Sequence, residues 1–174
     1  MNRVALLPRH GMTMPAFGYS DDERFARVFR ATWKRLPLHV RRALLRHWRT
    51  PCSITTLLRQ PVIEVLPFLS RVDDPCAVGV CRQEGYEFQF RSDAVNAMPD
   101  DALAVLIAHE LCHGYFFSVQ HPDRTGDEFE EDMVRETLGA WDFDEETIDE
   151  WYCAHPPLIA ELAEASTAAK EPNR

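Results

Sequence analysis

The stretch MPDDALAVLIAHELCHGYFFSV, residues 98–119, decides how the rest of the chain is read. Pro99 and Asp100 are helix-start signals, and the residues after them are apolar almost all the way round a helical wheel. Such a helix is enclosed by its neighbours rather than laid on a surface. Yet it carries His109, Glu110 and His113. Positions i and i+4 lie above one another on one helical face, so the two histidines can offer imidazole nitrogens to one metal ion. A buried glutamate beside them is costly unless a metal or hydrogen bonds compensate it. A hydrogen-bonded His-Glu-His cluster with no ion is the plainer alternative, and the flanking sequence has to choose between the two.

Upstream, CAVGVCRQEGYEFQFRS (76–92) holds two short runs, 77–82 and 86–91, separated by Gln83, Glu84 and Gly85. The second alternates Tyr86, Phe88 and Phe90 with Glu87, Gln89 and Arg91, the period of a half-buried strand, and the pair reads as a β-hairpin. Between Pro61 and Pro67 lies an irregular or short extended piece. Further upstream, SDDERFARVFRATWKRL (20–36) opens with Ser20 and Glu23 at capping-box spacing. It sets Phe25, Val28, Phe29, Thr32, Trp33 and Leu36 on one helical face. Pro37 ends that helix, and 38–48 reads as a second one with Val40, Leu44 and Trp48 inward and its arginines largely outward. A short third helix is expected over 53–59.

Downstream, GDEFEEDMVRETLGAWDFD (126–144) predicts an acidic helix whose apolar face is Val134, Leu138 and Trp141. A catalytic zinc commonly takes a third protein ligand and keeps a position for water. Stepping back three residues from Val134 lands on Glu131, which helical phase therefore turns inward. Glu130 and Asp132, about 100° to either side, are assigned to a solvated face. His121 is the rival ligand, but QHPD reads more simply as the turn after the motif helix. The pattern HExxHxxGxxH fails here, because Phe116 and Val119 stand where it needs Gly and His.

HELCH at 109–113, followed 18 residues later by Glu131 within EEDMV, resembles the gluzincin branch of zinc metallopeptidases. The short chain is similar to the compact minigluzincins, over roughly residues 77–145. The resemblance implies Zn2+ held by His109, His113 and Glu131, and water activated for attack on a peptide carbonyl with Glu110 as general base. Tyr115, His121, Tyr152 and His155 are the candidates for stabilising the oxyanion. One departure stands out: the family pattern often reads E-x-x-A-D, whereas Glu131 is followed by Val134 and Arg135. The carboxylate that would orient a zinc histidine is missing there, leaving Asp132, Asp142 or a backbone carbonyl to serve.

The 174 residues suffice for a single core, and 45% apolar with 10% aromatic residues argues for a folded globule. The expectation is an α+β, zincin-like single domain over 1–164: N-terminal helices (about 20–60), then a small sheet, the buried HExxH helix and the glutamate helix (about 76–145). A flexible tail follows at 165–174. Residues 1–15 lack the apolar core of a secretory signal and no stretch is long enough to span a membrane, which predicts a cytoplasmic protein. Five cysteines without a CxxC argue against a disulfide framework and a cysteine zinc site, and Cys112 reads as a packing residue. Residues 1–60 carry a net +9 and the remainder −18. Basic helices packed beside an acidic half of the same domain account for this more simply than a nucleic-acid surface. The expected partner is a protein or peptide substrate, with narrow, regulatory specificity. A second protein could dock on the basic helices, while nucleic acid is disfavoured. Two alternatives stand beside the peptidase reading: an inactive metallopeptidase-like scaffold, and a partner- or nucleic-acid-binding module.

Overall fold

The computed structural model describes residues 23–49, 61–67, 69, 77–82, 85–119, 128–156 and 158–161, and the architecture they form is mixed α+β. Ser20 of the capping box, the helix expected at 53–59, His121 and the tail lie outside these residues.

Helices α1 (Glu23–Arg35) and α2 (Leu38–Arg49) flank Pro37 as the sequence predicts. Phe25, Val28, Phe29, Thr32, Trp33 and Leu36 of this segment are buried, as are Val40, Leu44 and Trp48. The indoles of Trp33 and Trp48 stack with centroids 5.6 Å apart, a contact worth about 0.5–1.5 kcal/mol beyond the area it buries. Part of the basic surplus works within the fold. Arg24 donates to the carbonyls of Val95 and Met98 and, with Arg27, to the Asp100 carboxylate. The Arg27 and Arg24 hydrogen bonds hold that carboxyl below its ordinary range. They tie α1 to the junction between α3 (Ser92–Ala97) and α4 (Asp100–Ser118).

The sheet has three strands in the order β1-β3-β2. β2 (Gly79–Arg82) and β3 (Glu87–Arg91) form the expected antiparallel hairpin, and Gly85 turns it at φ +82°. The segment between Pro61 and Pro67 is a true strand, β1 (Val62–Leu66), parallel to β3. β3 is therefore central, and this corrects its half-buried reading. Phe88 and Phe90 are buried on one face, but Gln89 is only 3% exposed and Arg91 fully buried on the other. Gln89 lies between Glu64 and Val80 in the register, whose side chains share its face and shield it. An alternating pattern reports which face is more apolar, not whether neighbours cover both.

α4 is enclosed by α1 and α2, β2, α5 (Glu128–Ala140) and α6 (Glu146–Ala154). With neighbours on every side it has no face to leave polar. The hairpin sits on it closely: a Cβ at Gly85 would lie 3.1 Å from the Gly114 Cα, and one at Gly114 2.9 Å from the Phe88 ring. The Trp48 indole donates to the Gly85 carbonyl at 2.7 Å and holds α2 against the same turn. Among the described residues no helix is long and apolar enough to cross a membrane, and Cys81, Cys112 and Cys153 are thiols.

Candidate metal centre

His109, Glu110 and His113 occupy the middle of α4, where the helix passes β2 on one side and α5 and α6 on the other. A cleft of about 540 Å³ opens there, lined by residues 77–81 along β2, by the motif side chains and Leu106, and by Glu130, Glu131, Glu145, Ile148, Asp149 and Tyr152.

The Nε2 atoms of the two histidines face each other at 3.2 Å. Glu131 reaches both, with Oε2 3.2 Å from His109 Nε2 and Oε1 3.3 Å from His113 Nε2. Ligand atoms of His109, His113 and Glu131 lie within 4.8 Å of one another, so the three form a group that could hold a metal ion. The opposite nitrogens are engaged elsewhere: His109 Nδ1 is 3.1 Å from Glu145 Oε1, and His113 Nδ1 is 2.9 Å from Glu130 Oε1. A carboxylate at Nδ1 accepts its proton, which leaves the Nε2 lone pair of a neutral imidazole directed at the cluster. This arrangement suits a metal better than a purely protein cluster, since the two acceptor nitrogens converge with an anionic carboxylate instead of each meeting a donor.

The same carboxylates favour protonation of the imidazoles. Burial disfavours charge on His109, but the Glu131 and Glu145 hydrogen bonds and the nearby Glu110 charge outweigh it and raise its pKa to about 10. For His113 burial is likewise outweighed, by Glu130, Glu131 and Glu110, and its pKa rises to about 9. The same imidazole hydrogen bonds hold the Glu131 carboxyl well below its ordinary range.

Glu110 stands apart from the three. Its carboxylate lies against β2, where a Cβ on Gly79 would come 2.6 Å from Oε1, and it accepts the backbone N–H of Cys81. Burial pushes its pKa up, against the pull of the two imidazoles. A carboxyl that is buried, lines the cleft and has a raised proton affinity has the properties of a general base poised for proton transfer.

Helical phase was only partly right on α5. Glu131 reaches the histidines, but from the cleft mouth with its side chain 53% exposed, while Glu130 is the more buried at 11%. This corrects the assignment of Glu130 to a solvated face; Asp132 is exposed as expected. The inward line runs Glu130, Val134, Leu138, Trp141, and residues three and four before Val134 both belong to that side of the helix. Asp132 and Asp142 are the acids expected beside the histidines; the carboxylates found at the Nδ1 atoms are Glu145 and Glu130. Glu145 carries a weak signal after all, since it precedes Ile148 and Tyr152 by three and seven residues. α6 itself was missed because nine residues with two buried apolar positions make too faint a period.

Of the four oxyanion candidates, Tyr152 lines the cleft. Tyr115 packs by its ring on Trp141 and Phe116, and His155 Nδ1 donates to the Trp151 carbonyl while its ring stacks on that indole. His121 is outside the described residues. Cys112 is fully buried, and burial drives its thiol pKa up, away from thiolate chemistry. In comparisons with known proteins, no family model, no curated protein and no solved structure matches the chain.

Proposed function

We propose that the chain is a zinc-dependent peptidase of gluzincin type, acting on a protein or peptide substrate, with the zincin-like arrangement built around α4. The observation that carries this reading is the division of labour among four side chains in one cleft. His109, His113 and Glu131 converge on one point, while Glu110, which lines the same cleft beside them, is seated against β2 and is not one of the converging ligands. A site built only to hold a metal needs the first three and has no use for the fourth. The geometry is compatible with zinc: donors about 2.0–2.1 Å from a tetrahedral zinc lie roughly 3.3–3.4 Å from each other, the two Nε2 atoms are 3.2 Å apart, and Glu131 offers a separate oxygen to each of them at 3.2 and 3.3 Å.

His109, His113 and Glu131 would hold zinc, which would supply Lewis-acid activation of a water nucleophile near neutral pH, and their partners Glu145 and Glu130 would keep the Nε2 atoms directed inward. Glu110 accepts the proton of the attacking water on its carboxylate and delivers it to the leaving amide nitrogen, a transfer its raised pKa favours. β2 is the outer strand of the described sheet beside the cleft, so an extended peptide laid along it adds a strand antiparallel or parallel to β2 and brings its carbonyl past Glu110. Tyr152, from α6, also lines the cleft and is the candidate among the described residues for the developing oxyanion.

The test uses protein purified without chelator. Wild type should carry one zinc per chain, and Glu131→Ala should lose it while Asp132→Ala keeps it. Glu110→Gln should keep zinc and thermal stability yet cleave a diverse peptide library 10²–10⁴-fold more slowly. Equal cleavage by wild type and zinc-loaded Glu110→Gln would remove Glu110 from the mechanism. Zinc binding with no cleavage by wild type would favour the scaffold.

A further inference from the structure

The fourth residue after Glu131 is Arg135, one helical turn farther along α5 and joined to the His109 partner Glu145. A fixed cation there opposes a bound divalent ion on Coulombic grounds alone. What it touches explains its place. Arg135 Nε is 3.3 Å from Glu145 Oε2, and the other oxygen of that carboxylate is 3.1 Å from His109 Nδ1. A guanidinium from α5, a carboxylate from the residue just before α6 and an imidazole from α4 thus stand in line. The Glu145 side chain is 12% exposed and that of Arg135 60%, so the guanidinium covers the solvent side of a nearly buried carboxylate.

The two contacts of Glu145 do different work. Oε1 takes the Nδ1 proton of His109 and fixes the ring in the tautomer whose Nε2 faces His113 and Glu131. A carboxylate held at one oxygen can still swing about its Cγ–Cδ bond; the guanidinium makes no hydrogen bond to Oε2, but its charge 3.3 Å away opposes that swing as an ion pair.

Resting on the metal-centre reading above, we propose that Glu145, steadied by Arg135, is the positioning carboxylate of His109, and that Arg135 raises metal affinity by acting through Glu145. The turn before α6 is then part of the metal centre although it contributes no ligand. Arg135 also takes the position left without a carboxylate, and the missing function has moved to another segment of the chain.

The full-length chain is compared as wild type, Glu145→Ala, Glu145→Gln, Arg135→Leu and the double variant Arg135→Leu/Glu145→Ala. Zinc affinity is read by competition with a chromophoric chelator, and circular dichroism and thermal melting of the metal-free proteins check the fold. Glu145→Ala should weaken zinc by about 10–100-fold. Glu145→Gln should recover part of the loss, since its amide oxygen can accept the same Nδ1 proton. Arg135→Leu should weaken zinc several-fold, and the double variant should bind no worse than Glu145→Ala, as expected of residues that act as a unit. Through-space charge alone predicts the opposite sign for Arg135→Leu, because deleting a cation favours zinc. Unchanged or tighter binding by Arg135→Leu, or additive losses in the double variant, overturns the role of Arg135. Wild-type affinity in both Glu145 variants overturns the role of Glu145. If Glu145→Ala fails to fold, Glu145→Gln and Arg135→Leu carry the same comparison. A wild type that binds no zinc overturns the metal reading and this inference with it; a wild type that binds zinc and loses it with Glu131→Ala, yet ignores both positions, overturns this inference alone.

Discussion

Gly79 offers a way to disturb the proposed general base, Glu110, without touching a proposed metal ligand. A Cβ at this position would lie 2.6 Å from Glu110 Oε1 and 3.1 Å from both Cδ and Cγ. Ordinary contact begins near 3.4 Å, so Gly79→Ala requires the Glu110 carboxylate to withdraw by about 0.8 Å, the repulsive wall being steep at such distances. The strand is less able to yield, since β2 is laddered to β3 through all four of its residues. The backbone at Gly79 is not in the left-handed region and accepts alanine. Withdrawal stretches the hydrogen bond from the Cys81 N–H and misplaces the base, and a displacement of about 1 Å costs on the order of 10² in rate. Gly79→Ala should therefore lower kcat/KM about 100-fold, with zinc stoichiometry unchanged because His109, His113 and Glu131 keep their contacts. The assay is kcat/KM on a peptide selected with wild type from the library, alongside zinc content and melting temperature. A zinc-loaded Gly79→Ala within threefold of wild type would refute both the placement of Glu110 and its role as base.

Legibility in the sequence followed the strength of the local period. α1, α2 and α4 were readable because each presents many apolar side chains at helical spacing, and the inward residues of α1 and α2 are buried without exception. The hairpin was readable from its alternation, but not the burial of Gln89 and Arg91, which depends on β1 pairing from more than 20 residues away. In the candidate centre, HExxH and Glu131 share local signals, one within a helical turn and one through the phase of α5. The carboxylates at Nδ1 have none as specific. Glu130 stands among five acids within residues 127–132 and Glu145 among six within 142–150, and acidic composition cannot tell a buried partner from a solvated face. The distinction arises only when α5 and α6 pack on α4 and bring particular carboxylates within reach of particular nitrogens.

Two further outcomes follow from the packing and charge of α4. Gly114→Ala sets a methyl 2.9 Å from the Phe88 ring, which is fully buried; the overpacking cost of about 1–3 kcal/mol should exceed the roughly 1 kcal/mol gained in helix propensity. Urea denaturation should show a net loss of stability with an unchanged m-value, and a stabilised variant would sink the close seating of the hairpin on α4. The second concerns pH. The folded pKa values of His109 and His113, about 10 and about 9, lie above their ordinary 6.5. In the metal-free protein their contribution to stability is therefore complete below about pH 6.5 and is lost as pH rises through 9 to 10. Glu131 is shifted the other way, so its contribution is present above its ordinary 4.5 and is lost as pH falls through its lowered folded value. These shifts describe one shared set of ion pairs, and zinc must displace the protons that sustain it. The raised pKa values predict that the imidazoles hold protons at pH 7 to 8 that zinc must displace, up to two per ion, and apparent affinity should rise about tenfold per displaced proton per pH unit. Chelator competition should show zinc binding up to about 100-fold tighter at pH 8 than at pH 7, after correction for the chelator's own titration. Calorimetry in buffers of different ionisation enthalpy should count the same protons. A flat pH profile with no proton release would mean that the two Nε2 atoms are not where the ion binds.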